Sequence, residues 1–222
     1  MVGDEGPFAR LSRIERPLCR HHLTTTLTKR FRELLVTIQP VRLFGDPILR
    51  ARAAEVTEFD RELRQLVTDL TDTMHDDGGV GMAAPQIGVG LRVFVYDTED
   101  AAGHLVNPTY TVVGDEEQVG AEGCLSIPGL RYDTRRALRV HACGFDLTGA
   151  PVEFTAEGLL ARCVQHETDH LDGVLFIDRL DPADRKEAMR TIRESDWFNA
   201  GVTVRSSRAL GAGNAGPFGR GR

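Results

Sequence analysis

Apolar residues at Leu63, Leu66, Val67, Leu70 and Met74 recur at intervals of three and four, which predicts a helix from residue 57 or 58 to 76. Thr57, followed three residues later by Asp60, gives its start a capping arrangement, and Gly78-Gly79 ends it. The period then shortens. Runs rich in β-branched and aromatic residues at 91–96, 110–113, 138–145 and 152–154 predict short strands. Helical spacing returns with Leu159, Leu160, Cys163, Val164, His170 and Leu171, and Gly173 supplies a stop. After Val174-Leu175-Phe176-Ile177, Asp181-Pro182 opens a last helix carrying Ala188, Ile192 and Trp197. Strands clustered between helices, rather than alternating with them, predict an α+β fold. In it, short antiparallel strands pack around a central helix, with one helix before them and one after.

Order is expected to begin near the extended run Val41-Arg42-Leu43-Phe44, which ends in the turn residues Gly45-Asp46-Pro47, and to stop before the Gly-rich end of the chain. The predicted organisation is an unstructured extension or upstream-assigned start over 1–39, one domain over 40–198, and a flexible tail over 199–222. Apolar residues make up 41% of the 222 and charged residues 27%, the balance of a globular chain. A net charge of −6 argues against a phosphate-backbone binder, so no sequence-specific nucleic acid partner is expected. No apolar run is long enough to span a bilayer, and no membrane partner is expected. Arg and Thr are frequent between residues 9 and 32, but Asp4, Glu5 and the missing apolar run fit neither a transit nor a secretory leader. Cys19, Cys124, Cys143 and Cys163 are therefore read as reduced thiols of a cytoplasmic protein.

Chemistry concentrates in His166-Glu167-Thr168-Asp169-His170. Residues four apart share a helix face, so both imidazoles address one cation, and Glu167 flanks them where it reaches a bound water. A packed or solvated histidine is the bland alternative, and the surrounding helical period argues against it. Three protein ligands with an open position are typical of a catalytic site, so a third donor is required. Cys163 is excluded, because seven residues of helix put it about 10.5 Å along the axis from His170. Spacing leaves Glu187 and Cys124 both open. Glu187 would suit a thermolysin-type metalloprotease, whereas Cys124 lies in a Gly-flanked turn.

Three ordered segments carry a resemblance. Gly79-Val80-Gly81-Met82-Ala83-Ala84-Pro85-Gln86, Glu122-Gly123-Cys124-Leu125-Ser126 and Gln165-His166-Glu167-Thr168-Asp169-His170 resemble the motifs of the peptide deformylase family, over about residues 40 to 198. The resemblance implies Cys124, His166 and His170 as metal ligands and Glu167 as general base and then acid. It also implies an oxyanion site formed by the Gln86 amide and the Leu125 backbone N–H. Gly79, Val80, Gly81, Gly123, Arg131 and Cys163 are implied as substrate-binding positions, with Val164 a further wall of the methionine pocket. The implied substrate is an N-formylmethionyl nascent peptide, the product formate, and the setting one of transient ribosome association. The implied ion is Fe²⁺, with Zn²⁺, Ni²⁺ or Co²⁺ as alternatives for the same donors. A metalloprotease using Glu187 and an inactive or structural metal domain are the competing readings.

Overall fold

The computed structural model describes residues 37–206. The predicted extension and tail lie largely outside them. Their inner boundaries do not, and both move outward. Gln39 is already held, its N–H donating to Thr73 Oγ1 at 2.9 Å. At the other end, β9 (Val204–Arg205) pairs antiparallel with β1 (Val41–Arg42), so the ordered domain runs past residue 199. Arg205 from this strand reaches Asp77 through two contacts, at 3.1 and 2.8 Å, and donates to the Leu125 carbonyl at 3.3 Å.

Helix α1 spans Arg61–Asp76. Its cap is Asp60, whose carboxylate accepts from the Leu63 N–H, and not Thr57 as the spacing suggested. Leu63, Leu66, Val67, Leu70 and Met74 are buried against β2 (Gly81–Ala83) and β3 (Val93–Asp97), as the period requires. Gly78 adopts φ +68°, and the Gly79 N–H returns to the Met74 carbonyl at 2.9 Å, which turns the chain into β2.

Five antiparallel strands form the main sheet in the order β2 (Gly81–Ala83), β3 (Val93–Asp97), β4 (Ala102–Val112), β7 (Arg139–Phe145), β8 (Pro151–Glu157). Four of these overlap the strands expected from sequence, although β4 and β8 extend well beyond the predicted runs. The separate hairpin β5 (Glu117–Cys124) and β6 (Ile127–Ala137) was not anticipated. Helix α2 (Gly158–Leu171) lies on the sheet and is buried continuously from Ala161 to Leu171. Ala161, Val164 and Leu171 pack with Phe94, Leu105, Val140 and Ala142.

Asp181 caps α3 (Pro182–Glu194) by accepting from the N–H groups of Ala183 and Asp184. Ala188 and Ile192 anchor that helix against Ile127, Leu130 and Phe176. Trp197 belongs instead to a separate turn of helix, α4 (Asp196–Asn199), because Ser195 leaves helical geometry at ψ 141°. Among the described residues, no helix is long and apolar enough to cross a membrane.

Candidate active site

The site forms where the tip of the β5–β6 hairpin meets α2. Gly123 pairs with Arg131 but Cys124 pairs with Ile127, so β6 carries extra residues opposite the step between them. Such a bulge redirects the strand, and it delivers Cys124 into the interior at 5% exposure. The Phe44 N–H holds the tip by donating to the Ser126 carbonyl at 2.8 Å.

Cys124, His166 and His170 each present a donor atom within 4.8 Å of the other two. Cys124 Sγ is 3.2 Å from His170 Nε2, and the two rings stand 4.9 Å apart at 73°. His166 uses Nδ1 to meet Glu122 Oε1 at 2.6 Å, which turns its other nitrogen toward the cluster. Burial opposes a charge on His166, but hydrogen bonds to Cys124 and Glu122 outweigh it and make the ring more basic. Burial and the neighbouring His166 charge push His170 the other way, which keeps it a neutral donor. Two imidazoles and one thiolate are a fitting donor set for a divalent transition metal. Cys124, His166 and His170 would hold it.

Behind the histidine lies a charge network that sequence reasoning missed. Arg136 grips Glu122 at 3.1 and 2.6 Å and Asp169 at 2.6 Å, while Arg162 reaches Glu122 at 3.0 Å. Arg179 closes the network on Asp169 at 3.0 Å. Burial alone would raise the Glu122 pKa, yet His166 and Arg136 together hold it well below the usual carboxylate range. One signal was available: alternation along β6 puts Arg136 on the buried side with Thr134.

Glu167 is 1% exposed, and burial pushes its pKa up to about 7. Its Oε2 is buried without a hydrogen-bond partner among the described residues. Gly81 makes room for it: a Cβ there would stand 2.5 Å from Glu167 Oε1 and 2.6 Å from Cys163 Sγ. Gln86 is fixed by the Ala83 N–H, which donates to Oε1 at 2.8 Å. That bond turns Nε2 toward Ser126 Oγ at 3.3 Å and Cys124 Sγ at 3.7 Å. Gln86 therefore sits beside the cluster, and Leu125 follows Cys124 at the hairpin tip.

The other expected positions scatter more widely. Gly79 and Val80 lead into β2 and are buried, and a Cβ on Gly79 would meet Leu125 at 3.0 Å. Arg131 is exposed on β6 opposite Gly123. Cys163 is fully buried, with its thiol donating to the Val80 carbonyl at 3.5 Å, and Val164 packs in the core with Phe94. Neither has surface to offer a ligand here. Glu187 is exposed on α3 and pairs with Arg190 at 3.3 Å, so the alternative ligand set does not assemble.

The family model described as polypeptide deformylase matches residues 38–186. A peptide deformylase of Acidothermus cellulolyticus is 62% identical over 172 residues, covering 78% of this chain and 95% of that protein. One from a Parafrankia species is 55% identical, covering 74% and 90% respectively. Among solved structures, a Legionella pneumophila peptide deformylase superposes with a TM-score of 0.67 at 42% identity, covering 73% of this chain and 98% of that one. This chain belongs to the polypeptide deformylase family.

Proposed function

We propose that the removal of formyl groups from nascent polypeptides, which this family performs, is carried out here by Glu167, Gln86 and Leu125 beside a metal held by Cys124, His166 and His170. The observation that carries this reading is the meeting of three metal-type donors with a buried carboxylate oxygen that has no hydrogen-bond partner among the described residues. When bound, the ion would supply Lewis acidity toward the formyl oxygen and make water acidic enough to react near neutral pH.

The remaining steps belong to the chain's own groups. Glu167 accepts a proton from the attacking water as the new C–O bond forms at the formyl carbon. Its raised pKa suits it to hold that proton near neutrality. Charge that develops on the formyl oxygen is met by Gln86 Nε2, which the Ala83 hydrogen bond has already oriented, and by the Leu125 N–H. Glu167 then returns the proton to the departing nitrogen. The C–N bond breaks, leaving formate and a free α-amine.

Substrate contacts are proposed for the backbone of Gly79, Val80, Gly81 and Gly123 and for Arg131 at the rim of the hairpin. Ferrous iron is the proposed ion, with zinc, nickel or cobalt able to occupy the same donors. A cytoplasmic setting and transient contact with the ribosome follow from a substrate that is a chain still being made.

Metal content and formate release, measured on one anaerobic preparation, test the ligand set. Cys124→Ala is expected to lose both metal and activity, whereas Glu187→Ala keeps both. Retention of metal by Cys124→Ala, with its loss from Glu187→Ala, would overturn the proposed centre.

A further inference from the structure

On the outer face of the sheet, β7 and β8 bring together His141, Cys143 and Glu153, each with a donor atom within 4.8 Å of the other two. Strand register explains the grouping. His141 and Cys143 are two residues apart and share a face, and Cys143 lies directly across from Glu153. The intervening Val140 and Ala142 point inward and pack with Ala161 and Val164 of α2. The group therefore sits on the side of the sheet away from Cys124 and its histidines.

The imidazole is also oriented. His141 Nδ1 lies 3.4 Å from Oγ1 of Thr155, its cross-strand partner, while Nε2 lies 3.8 Å from Glu153 Oε2. In the tautomer whose Nδ1–H donates to the hydroxyl, the Nε2 lone pair faces Glu153, the arrangement by which neighbouring groups orient metal-ligating histidines. Beside it lies a cleft lined by Asn107, Thr109, Cys143, Phe145 and Glu153 among others, and among the described residues its lining holds no cationic side chain to compete for the thiolate and carboxylate.

We propose that His141, Cys143 and Glu153 form a second site for a divalent transition metal of the zinc type, joining β7 to β8. One nitrogen, one sulfur and one carboxylate oxygen suit zinc and do not suit magnesium or calcium, which take oxygen donors. Donors bound to a tetrahedral ion at about 2.0–2.3 Å stand about 3.5 Å apart. The remaining gap closes through the Glu153 side chain, which is 77% exposed and free to swing without moving the strands. A fourth position stays open to solvent.

The test uses the metal-loaded enzyme, equilibrated with micromolar Zn²⁺ and freed of unbound metal. Bound zinc is measured for the wild type, His141→Ala and Cys143→Ser, and alkylation of Cys143 is followed by peptide mass spectrometry with and without zinc. These side chains face solvent, so the variants should keep wild-type formate release, which verifies their folding. The wild type is expected to hold one more zinc per chain than either variant, and zinc should slow Cys143 alkylation about tenfold. Equal zinc in all three proteins, or alkylation indifferent to zinc, overturns the proposal.

Discussion

Glu122 Oε1 stands 2.6 Å from Nδ1 of His166, and the same carboxylate is held by Arg136 and Arg162. The hairpin that supplies the cysteine thus also aims the histidine across from it. Glu122→Gln keeps the shape but loses the charge that makes His166 a strong donor. Metal affinity should fall about 10–100-fold, read by competition with a chelator. Unchanged affinity would remove Glu122 from the orienting role.

Gly81→Ala tests the space kept for Glu167. The added methyl would lie 2.5 Å from Oε1, so the carboxylate must move while Cys124, His166 and His170 stay in place. The expected outcome is retained metal with kcat reduced on the order of 10²-fold, because small displacements of a reacting group are costly. Wild-type kcat in the metal-loaded variant would contradict the placement.

Much of this could be read from residue order, and the failures have physical causes. Helix α2 was legible because its apolar and metal-type residues share one period, and α3 because Asp181-Pro182 is a strong start signal. The β5–β6 hairpin was not, since β5 alternates exposed and half-buried positions until only Glu122, Gly123 and Cys124 are buried. Arg136 resembles a surface charge beside Arg135. Its burial depends on Asp169, 33 positions away, and on Glu122 across the hairpin. Spacing likewise left Cys124 and Glu187 level, because the thiolate meets His170 across 46 positions that no local pattern records.

Arg205 shows what the C-terminal strand contributes. It pairs with the buried Asp77 and holds the Leu125 carbonyl at the hairpin tip. Burial already raises the Asp77 pKa against the pull of Arg205. Arg205→Ala should therefore destabilise the domain by about 3 kcal/mol in urea denaturation, as expected when one partner of a buried pair is removed. A change within error would show the strand to be dispensable.

Asp178 ties the segment after α2 to the beginning of the domain. Burial tends to raise its pKa, but the Arg50 hydrogen bond, the Leu175 N–H at 3.0 Å and the charges of Arg50 and Arg185 outweigh this and lower it. A carboxylate with a lowered folded-state pKa adds stability above its unfolded pKa of about 3.9, and that contribution is lost as pH falls through the folded value. Asp178→Asn should be less stable than wild type near neutral pH, with the gap closing in acid. A gap independent of pH in urea denaturation would contradict this assignment.

The most direct measurement is formate release from a formylmethionyl peptide by metal-loaded Glu167→Gln, with metal content determined on the same sample. The amide fills the same space but cannot carry the proton between water and amine. Formate release should fall about 10²–10⁴-fold while the metal remains bound. Release at the wild-type rate would contradict the role given to Glu167.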